Sequence, residues 1–347
     1  MPLASKVCDL TGPGLTDRFG VGGTDLGTTV TAPDGRLVSV FGDTFENAGV
    51  GGPGWRSPVV LFADPSSVRA GLSWTGCAGT DGYAQQVVGY RHQGLRRLGT
   101  SMLSLRRIST VLPTDVLTVG DDMWLHVMAC RQLGNPRATE LHRSRDSGVT
   151  WEPAEVRWPG DHLGGLFQML TWEIDAAGEW VHALTTGFQR AHGLLLHRVP
   201  ADRIGDPAAW EGWGFDGADW DWGRPPTEVL PGAFGEMSLR RVPDDTGREW
   251  WVLVVFDAGN YRIDVLLLDG PTANLHTAPR TTVVAGAGWG DEDHAGGRVA
   301  QLYGGYTLPG STLSDLHLVV SQWNTGTNWP YRSMQFRADV SGLVPRP

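Results

Sequence analysis

Short runs of apolar or alternating residues follow one another along the whole chain, and turn signals separate them. The clearest turns are PDG at 33–35, DAAGE at 175–179 and PDDTGRE at 243–249. Only residues 201–210 suggest a helical turn, and no long segment has the period of an amphipathic helix. The pattern therefore predicts an all-β protein. The clearest predicted strands are residues 36–41, 124–130, 180–186, 194–199, 250–256, 262–268, 317–323 and 333–340.

The predicted strands recur in one order, in which a polar residue opens a strand, a turn follows, and a very apolar strand ends on a polar residue. The clearest copies are TDLGTTVTAPDGRLVSVFGDT at 24–44 and GEMSLRRVPDDTGREWWVLVVFDAGN at 235–260, with weaker ones at 109–132, 165–189 and 305–324. Five copies leave roughly 70 residues for each, enough for four short strands and their loops. The sequence predicts one domain, 1–347, folded as a five-bladed β-propeller. The predicted blades are residues 15–75, 105–160, 163–215, 233–285 and 300–342.

Composition narrows the range of partners. The 48 Gly and 22 Pro suit many turns, and the 16 Trp offer flat apolar rings with one donor each, well suited to packing on sugar rings. The formal net charge is −10 without any basic block, which argues against nucleic acid and anionic membranes. No apolar run approaches the roughly 18 residues of a membrane span, so we expect no membrane insertion. Together with the abundant carboxylates, the Trp content favours a carbohydrate partner.

The residue types that bind metals are sparse or scattered. Cys8, Cys77 and Cys130 form no CxxC pair, so we expect three ordinary thiols. The ten His residues form no HExxH or HxH cluster, and neither a catalytic metal nor another cofactor is predicted. A structural calcium held by carbonyl and carboxylate oxygens is compatible with the sequence.

The first residues, MPLASKVCDLTGPG, lack a basic segment followed by an apolar one, so no secretory signal is expected. The expected locations are the cytoplasm, a phage particle, or the cell exterior after export by a non-classical route.

Four carboxylates stand at the ends of the best-defined predicted hairpins. In an antiparallel hairpin, the start of the first strand and the end of the second lie at the same edge. Asp25 and Asp43 occupy these positions in the first predicted blade, and Glu236 and Asp257 occupy them in the fourth. Because the inner strands of a propeller surround its channel, these side chains are candidates to converge there. Glycoside hydrolysis needs such a convergent pair, although Asp43 and Asp257 would equally suit turn caps.

Six short motifs carry a family resemblance by their order and spacing. They are GTDLG at 23–27, FGDTF at 41–45, WRSP at 55–58, GEMS at 235–238, YGGY at 303–306 and SQWN at 321–324. The chain resembles a bacterial and phage family long classed as a domain of unknown function and now counted among glycoside hydrolases as endo-D-arabinofuranases. The resemblance implies a five-bladed propeller that cuts internal linkages of the D-arabinan in mycobacterial arabinogalactan and lipoarabinomannan. Pro58 departs from the Asn that the family more often has after the Arg-Ser pair.

The resemblance also implies catalytic roles for Asp25, Asp43 and Glu236. By analogy with related five-bladed hydrolases, the expected mechanism is displacement by water with inversion at the anomeric carbon. We expect Asp25 to be the general base and Asp43 or Glu236 the acid, while the third carboxylate adjusts its pKa or orients a sugar hydroxyl. Further residues near the same rim are candidates for substrate binding, with core packing or a surface stack as the alternative. These candidates are Trp55, Arg56, Asp257, Tyr261, Tyr306, Trp323 and Asn324.

Three other functions are compatible with the pattern. SRDSGVTW at 144–151 matches the Asp-box hairpin of several propeller families, which points to a sialidase, but the candidate strand starts carry Asp and Glu instead of an Arg cluster and a nucleophilic Tyr. We expect Asp146 of this motif to be structural. A non-catalytic glycan-binding or virion protein would use a Trp-rich face and would not need paired carboxylates. A glycoside phosphorylase would need basic residues around phosphate, for which the candidates are Arg56, Arg106, Arg107 and Arg190.

Overall fold

The computed structural model describes residues 4–90 and 108–345, and within them the prediction of an all-β chain is confirmed. The helices in these segments are 3-10 turns of at most six residues, and none is long and apolar enough to cross a membrane. The turns are Asp17–Phe19, Pro65–Ala70, His162–Gly165, Ala201–Arg203, Pro207–Ala209 and Ser341–Leu343. The strands are β1 (Ser5–Asp9), β2 (Gly23–Thr31), β3 (Leu37–Phe45), β4 (Val59–Ala63), β5 (Trp74–Cys77), β6 (Gly79–Thr80), β7 (Tyr83–Ala84), β8 (Thr110–Val119), β9 (Asp122–Cys130), β10 (Pro136–Ser144), β11 (Glu152–Pro159), β12 (Met169–Ile174), β13 (Trp180–Thr186), β14 (His192–Pro200), β15 (Glu211–Phe215), β16 (Trp220–Trp222), β17 (Leu230–Pro243), β18 (Glu249–Asp257), β19 (Arg262–Leu268), β20 (Arg280–Ala287), β21 (Arg298–Ala300), β22 (Leu302–Thr307), β23 (Leu316–Trp323) and β24 (Tyr331–Ala338).

Most of these strands form antiparallel up-and-down sheets. Three sheets have four strands each, in the orders β2–β3–β4–β5, β8–β9–β10–β11 and β22–β23–β24–β1. A ten-stranded sheet joins β12–β13–β14 to β17–β18–β19–β20–β21 through two residue pairs between β14 and β17, and β15 and β16 branch from β14. The strands β6 and β7 pair only with each other.

The first strands of the successive sheet units surround a common centre. In order, β2, β8, β12, β17 and β22 each contact the next, and β22 contacts β2, so the ring of inner strands is closed. A closed ring of this kind, with further strands of each sheet lying outward, is propeller-like. The ring places the ends of the inner strands at two openings of one channel.

The N-terminal strand completes the C-terminal sheet. The pairing of β1 with β24 is antiparallel and runs from Ser5 opposite Arg337 to Asp9 opposite Met334. The hydrophobic pattern did not predict a strand at 5–9. This pairing links the two ends of the chain, so the circle of sheets is closed by hydrogen bonds as well as by side-chain packing.

The central strands of the sheets are buried on both faces. Along β18, Val252 and Val254 belong to one apolar cluster, whereas Leu253 and Val255 belong to another. Alternate residues of a strand point to opposite faces, so one cluster covers each face of β18. This double burial explains the continuous apolar run WVLVVF, since a strand with one solvent-exposed face alternates instead.

A buried ion pair joins four of the five inner strands. Asp115 on β8 has no exposed surface and accepts hydrogen bonds of 2.6 and 2.9 Å from the two terminal nitrogens of Arg240 on β17. The hydroxyls of Thr28 on β2 and Thr171 on β12 donate to the same carboxylate. Two parallel charge-assisted bonds compensate much of the cost of burying both charges. The pair therefore ties the inner strands to one another.

The Asp-box sequence forms the turn between β10 and β11. Asp146 accepts hydrogen bonds from the backbone nitrogen and the hydroxyl of Thr150, at 2.9 and 2.6 Å, and from Ser144. The motif therefore closes its own turn, in keeping with a structural Asp146. Residues 105–107, which begin the predicted second blade and include Arg106 and Arg107, lie outside the described residues.

Candidate active site

A cavity of about 760 Å³ opens at one end of the ring of inner strands. Every inner strand contributes to its wall: Asp25 from β2, Thr114 from β8, Met169 from β12, Glu236 from β17 and Tyr303 from β22. Its volume lies within the range of pockets that take small organic ligands. The cavity brings together Asp25, Asp43 and Glu236, the three carboxylates that the sequence nominated.

Four of the five inner strands are irregular where they reach this cavity. The register shifts lie at 24–26 in β2, 113–115 in β8, 234–237 in β17 and 304–306 in β22. A bulge re-aims side chains relative to the regular alternation, and bulges are common beside active sites. Asp25 and Glu236 both lie within such a bulge, which allows each carboxylate to face the cavity.

Asp25 is half-buried in the cavity wall and is held through one oxygen. Its Oδ2 accepts a hydrogen bond of 2.8 Å from the Tyr303 hydroxyl. Its Oδ1 is buried and has no hydrogen-bond partner among the described residues. A Cβ at Gly42 would lie 2.4 Å from this Oδ1, so the glycine makes room for the carboxyl group. The next residue, Leu26, has a left-handed φ of 62°, which is the local backbone change at the bulge.

The surroundings of Asp25 favour its protonated form. Burial raises the pKa of Asp25 from 3.8 to about 7, and the charges of Asp43 and Glu236 add to this rise. The hydrogen bond from the Tyr303 hydroxyl opposes this rise, and so does the nearby hydroxyl of Tyr331, because such donors stabilise the carboxylate. The protonated form of Asp25 therefore persists to a much higher pH than in an exposed aspartate.

Asp43 is anchored by three neighbouring side chains. Its Oδ1 accepts hydrogen bonds of 3.0 Å from Trp55 Nε1 and 2.8 Å from the Thr110 hydroxyl. Its backbone carbonyl accepts a hydrogen bond of 2.9 Å from the Tyr331 hydroxyl. Burial raises the pKa of Asp43, and the bonds from Thr110 and Trp55 partly offset that rise. Asp43 is thus a fixed acidic group whose charge acts on Asp25.

Glu236 is paired with a single arginine. Its side chain is buried, Oε1 binds the Arg190 guanidinium, and Oε2 has no hydrogen-bond partner among the described residues. Burial is the largest single effect on the pKa of Arg190 and lowers it, but the charge and hydrogen bond of Glu236 together with Tyr303 and Tyr306 raise this pKa overall. The guanidinium also lies over the rings of Tyr303 and Phe256, at 5.3 and 5.4 Å from their centroids. Arg190 therefore connects Glu236 with the tyrosine that holds Asp25.

Several sugar-binding candidates from the sequence do reach this region. Tyr261, Tyr306 and Trp323 line the cavity, with Tyr261 exposed at the rim and Tyr306 fully buried. The Trp323 ring meets the Tyr331 ring edge to face at 5.9 Å. Trp55 contributes through its hydrogen bond to Asp43 and is not itself in the wall. Their binding roles remain predictions.

Arg56 does not line the cavity. Its guanidinium donates to the backbone carbonyls of Gly20, Gly54 and Ala84, at 2.9, 2.7 and 2.5 Å, and lies 4.3 Å from the centroid of the Tyr83 ring. Every nitrogen of the guanidinium is thus used to hold neighbouring loops. Its position supports a structural function in place of the predicted contact with substrate.

Asp257 and Asn324 also lie outside the cavity wall, contrary to the prediction from their strand ends. Asp257 binds Arg280 at 2.7 Å and accepts hydrogen bonds from Asn260, so it closes the turn after β18. The side-chain oxygen of Asn324 accepts hydrogen bonds from the backbone nitrogens at 326–327. Both side chains are engaged by their own turns, which is the capping alternative that the sequence left open for Asp257.

Sequence reasoning missed four residues that organise the carboxylates. Tyr303 lies in the YGGY motif, but only its last tyrosine was nominated, and Tyr331 and Thr110 stand in strands without a recognised motif. Arg190 appeared only as a possible phosphate ligand. A useful signal would have been the polar or aromatic residue at the cavity end of each inner strand.

The donor set at this site does not resemble a metal centre. Within residues 4–90 and 108–345 no group of three or more His, Cys, Asp or Glu side chains is arranged to hold a metal ion. The residues that converge on the cavity instead supply proton donors, proton acceptors and one guanidinium.

A closed ring of inner strands around an acidic cavity defines a propeller-like all-β protein whose site is equipped for acid–base chemistry. The chain belongs to the family described as "Domain of unknown function (DUF4185)", whose model matches residues 11–337. It is 30% identical to an uncharacterized 35.9 kDa protein of the asd 3′ region of Mycolicibacterium smegmatis, over 95% of this chain and 96% of that one. It is also 30% identical to the notoamide biosynthesis cluster protein J of an Aspergillus species, over 94% of this chain and 86% of that one.

Solved structures of low sequence identity share the fold. A protein of Bacteroides ovatus, provisionally assigned as a hydrolase, matches with a TM-score of 0.61 at 13% identity, over 92% of this chain and 86% of that one. An α-L-arabinofuranosidase of Podospora anserina matches with a TM-score of 0.51 at 9% identity, over 98% of both chains. A β-xylosidase/α-arabinofuranosidase from a compost metagenome matches with a TM-score of 0.51 at 11% identity, over 90% of this chain and 89% of that one. The architecture is therefore one that glycoside hydrolases use.

Proposed function

We propose that the chain is a glycoside hydrolase whose acid–base pair is Asp25 and Glu236. The observation that carries this proposal is the state of their oxygens. Each carboxyl group is held through one oxygen, by Tyr303 or Arg190, while Asp25 Oδ1 and Glu236 Oε2 are buried without a hydrogen-bond partner among the described residues. A buried polar oxygen without a partner is costly to keep, and two of them on neighbouring carboxyl groups of one cavity favour a functional role for these groups over a structural one.

The environments of the two groups suggest their roles. The raised pKa of Asp25 keeps a proton available near neutral pH, whereas the guanidinium of Arg190 compensates the charge of a Glu236 carboxylate. In the proposed step Asp25 gives its proton to the glycosidic oxygen as the bond from that oxygen to the anomeric carbon breaks. Glu236 takes a proton from the water whose oxygen bonds to the same carbon. Asp25 is thus proposed as the acid, whereas the sequence analysis expected it to be the general base.

The architecture that we propose for this enzyme is a five-bladed β-propeller. It is supported by the five inner strands, each of which contacts the next around a closed ring. The ten-stranded sheet then consists of two blades, because its two halves are connected by only two residue pairs, His192 with Phe234 and Leu194 with Leu230. The remaining three blades are the four-stranded sheets.

The proposed substrate is the D-arabinan of mycobacterial arabinogalactan and lipoarabinomannan, cut at internal linkages. Support comes from the motif resemblance, from the Mycolicibacterium relative, and from the match to an α-L-arabinofuranosidase. The cavity wall also carries apolar and aromatic surfaces, including Phe45, Phe188 and Trp323, against which furanose rings can pack. By analogy with related five-bladed hydrolases, we propose that the product is released with inverted configuration at the anomeric carbon.

The site is less suited to a sialidase or a phosphorylase. Of the cavity-lining residues that the structure describes, Arg190 is the one arginine, and it is bound to Glu236. A sialic acid carboxylate or a phosphate would have to compete with Glu236 for this guanidinium. Arg56, another candidate from the sequence, is used by backbone carbonyls.

A panel of polysaccharides tests the proposal. We expect the purified protein to release reducing ends from arabinogalactan and lipoarabinomannan, and not from L-arabinan, xylan or β-1,3-galactan. Proton NMR of the first products is expected to show the inverted anomer. Release from xylan or galactan alone would contradict the substrate, and a retained anomer would contradict the direct displacement.

Replacing Tyr303 tests the acid role of Asp25. Because the acid must be protonated, activity should fall as the pH rises through about 7, the pKa of Asp25. Tyr303→Phe removes a hydrogen bond that lowers this pKa, so the midpoint of the fall should move to higher pH by roughly half to one unit. Tyr306→Phe, which changes a cavity tyrosine not bonded to Asp25, should leave the midpoint in place. Activity that instead increases through pH 7 would make Asp25 the base.

The Aspergillus relatives favour one second candidate. Their names place them in a notoamide biosynthesis cluster, and they are as similar to this chain as the Mycolicibacterium protein is. The same pair of carboxyl groups would then move protons on a small molecule bound in the cavity. Absence of any release from the polysaccharide panel, with the fold intact, would favour this candidate.

A further inference from the structure

The short hairpin formed by β15 and β16 carries four aromatic residues on one face. Trp213 pairs with Trp222 across the hairpin, and Phe215 pairs with Trp220. Alternate residues of a strand share a face, and directly paired residues lie on the same side, so all four rings project from one surface. We call this surface the aromatic face. It is defined by Trp213, Phe215, Trp220 and Trp222.

The aromatic face is packed at one end and open at the other. At the packed end, the Arg198 guanidinium lies 4.5 Å from the centroid of the Trp222 ring and His182 lies 5.6 Å from it. At the open end, Phe215 is 43% exposed and Trp220 is 38% exposed, with their ring centroids 5.5 Å apart. Trp213 stacks against Trp220, with the ring centroids 6.1 Å apart and an angle of 15° between the rings. The exposed Trp220 ring is therefore held in place by a neighbouring ring of the same face.

The opposite face of the hairpin is covered by the chain that follows it. A Cβ at Gly212 would lie 2.7 Å from the carbonyl oxygen of Arg224, and a Cβ at Gly214 would lie 2.2 Å from that of Pro225. This close backbone approach requires glycine at both positions. Since the returning chain occupies one face, the aromatic face is the side of the hairpin that remains open to a ligand.

The open end of the hairpin points toward the edge of the protein where the cavity lies. Phe188 and Arg190, which line the cavity, immediately precede β14, so β14 begins at that edge. The pairing of β15 with β14 is antiparallel, with His197 opposite Gly212, and β15 therefore runs back toward the same edge. A polymer bound in the cavity and one lying on the aromatic face would be on the same side of the protein.

Area and charge together indicate the kind of ligand. Two rings exposed to this degree offer on the order of 200 Å² of aromatic surface, well below the roughly 800 Å² per partner of a stable protein interface. The neighbouring Asp216, Asp219 and Asp221 are exposed, so the rim is acidic. An acidic rim repels anionic lipids and nucleic acids and accepts hydrogen bonds from hydroxyl groups.

We propose that the open end of the aromatic face is a second carbohydrate-binding site, which holds rings of a neutral polysaccharide by stacking on Trp220 and Phe215. This proposal rests on the proposed function in one respect: the polysaccharide bound here is taken to be the polymer that the cavity cleaves. The site would keep a long chain near the cavity between cleavages.

The test uses Asp25→Asn protein, so that the probe is not consumed, and measures its retardation in native gels containing mycobacterial arabinogalactan. Trp220→Leu in this background should weaken binding about 5- to 10-fold, because leucine is apolar but not flat. Trp220→Phe should retain most of the binding, and Val149→Ala, at an exposed apolar position in the turn between β10 and β11, should change nothing. Phe215→Leu gives a second variant if Trp220→Leu unfolds.

The two proposals can fail separately. With Asp25 intact, Trp220→Leu should slow cleavage of the polymer while leaving cleavage of short oligosaccharides unchanged. Binding that depends on Trp220 in a protein without hydrolase activity would reject the proposed function and keep this site. Equal retardation of Trp220→Leu and its parent would overturn the second site. So would a concentration-dependent dimer, seen by sedimentation, that Trp220→Leu dissociates.

Discussion

Asp25→Asn is expected to lower kcat/KM for polysaccharide hydrolysis by about 10²- to 10⁴-fold, the usual contribution of a positioned proton donor. The amide can still accept the hydrogen bond from Tyr303, so the cavity should keep its shape while losing its transferable proton. Asp121→Asn, at an exposed turn between β8 and β9, is the matched control and should retain full activity. Near-normal hydrolysis by Asp25→Asn would exclude Asp25 as the acid.

The same variant should be more stable than the wild type at alkaline pH. Because burial lifts the folded-state pKa of Asp25 to about 7, above its ordinary value of 3.8, the folded protein holds this proton more tightly than the unfolded chain does. The unfolding free energy of the wild type therefore falls as the pH rises from about 4 to about 7, by about 2–4 kcal/mol from this group. The amide introduced by Asp25→Asn cannot ionise. Urea unfolding at pH 8 should therefore give the variant a higher free energy of unfolding than the wild type, and this difference should disappear near pH 4. A constant difference across this range would contradict the raised pKa.

Arg240→Ala is expected to destabilise the fold by about 3–5 kcal/mol, because it leaves the Asp115 carboxylate buried without a counter-charge. Urea denaturation measures this loss, which is a large part of the stability of a typical domain. Arg240→Lys keeps the charge but loses the two parallel hydrogen bonds, so this variant should be destabilised less than Arg240→Ala. Its free energy of unfolding can be measured if the alanine variant does not fold.

The neighbouring arginine provides the control. Arg241 binds Glu249, whose side chain is about half exposed, and such surface pairs contribute about 0–1 kcal/mol. Arg241→Ala should therefore unfold within about 1 kcal/mol of the wild type. Equal effects of the two alanine substitutions would contradict the view that Asp115 and Arg240 hold the inner strands together.

The hydrophobic pattern was sufficient for the fold class and for the first hairpin. The predicted placement of Asp25 and Asp43 at one edge agrees with the pairing of β2 with β3, in which Thr24 lies opposite Thr44. Because both faces of the central strands are buried, their apolar runs were unmistakable in the sequence. The N-terminal strand was missed because SKVCD is short and only partly buried, and its pairing with β24 is a long-range contact.

The direction of the carboxylate side chains was harder to predict, because bulges interrupt the alternation of the inner strands. Glu236 and Asp257 were both expected at the same edge of one predicted hairpin, yet the shift at 234–237 directs Glu236 into the cavity while Asp257 binds Arg280. Arg190 lies in a turn with a left-handed φ of 56° and meets Glu236 across 46 residues of sequence separation. Contacts of this kind depend on how distant segments of the chain pack in the ten-stranded sheet, and no local pattern encodes them.

We propose above that this cavity hydrolyses glycosidic bonds with Asp25 and Glu236. This proposal is tested most directly by incubating wild-type, Asp25→Asn and Glu236→Gln proteins with mycobacterial arabinogalactan and separating the released sugars by chromatography. We expect a ladder of arabino-oligosaccharides from the wild type and none from either variant. A wild-type protein that binds the polysaccharide and releases nothing, or a ladder that survives both substitutions, would contradict the proposal.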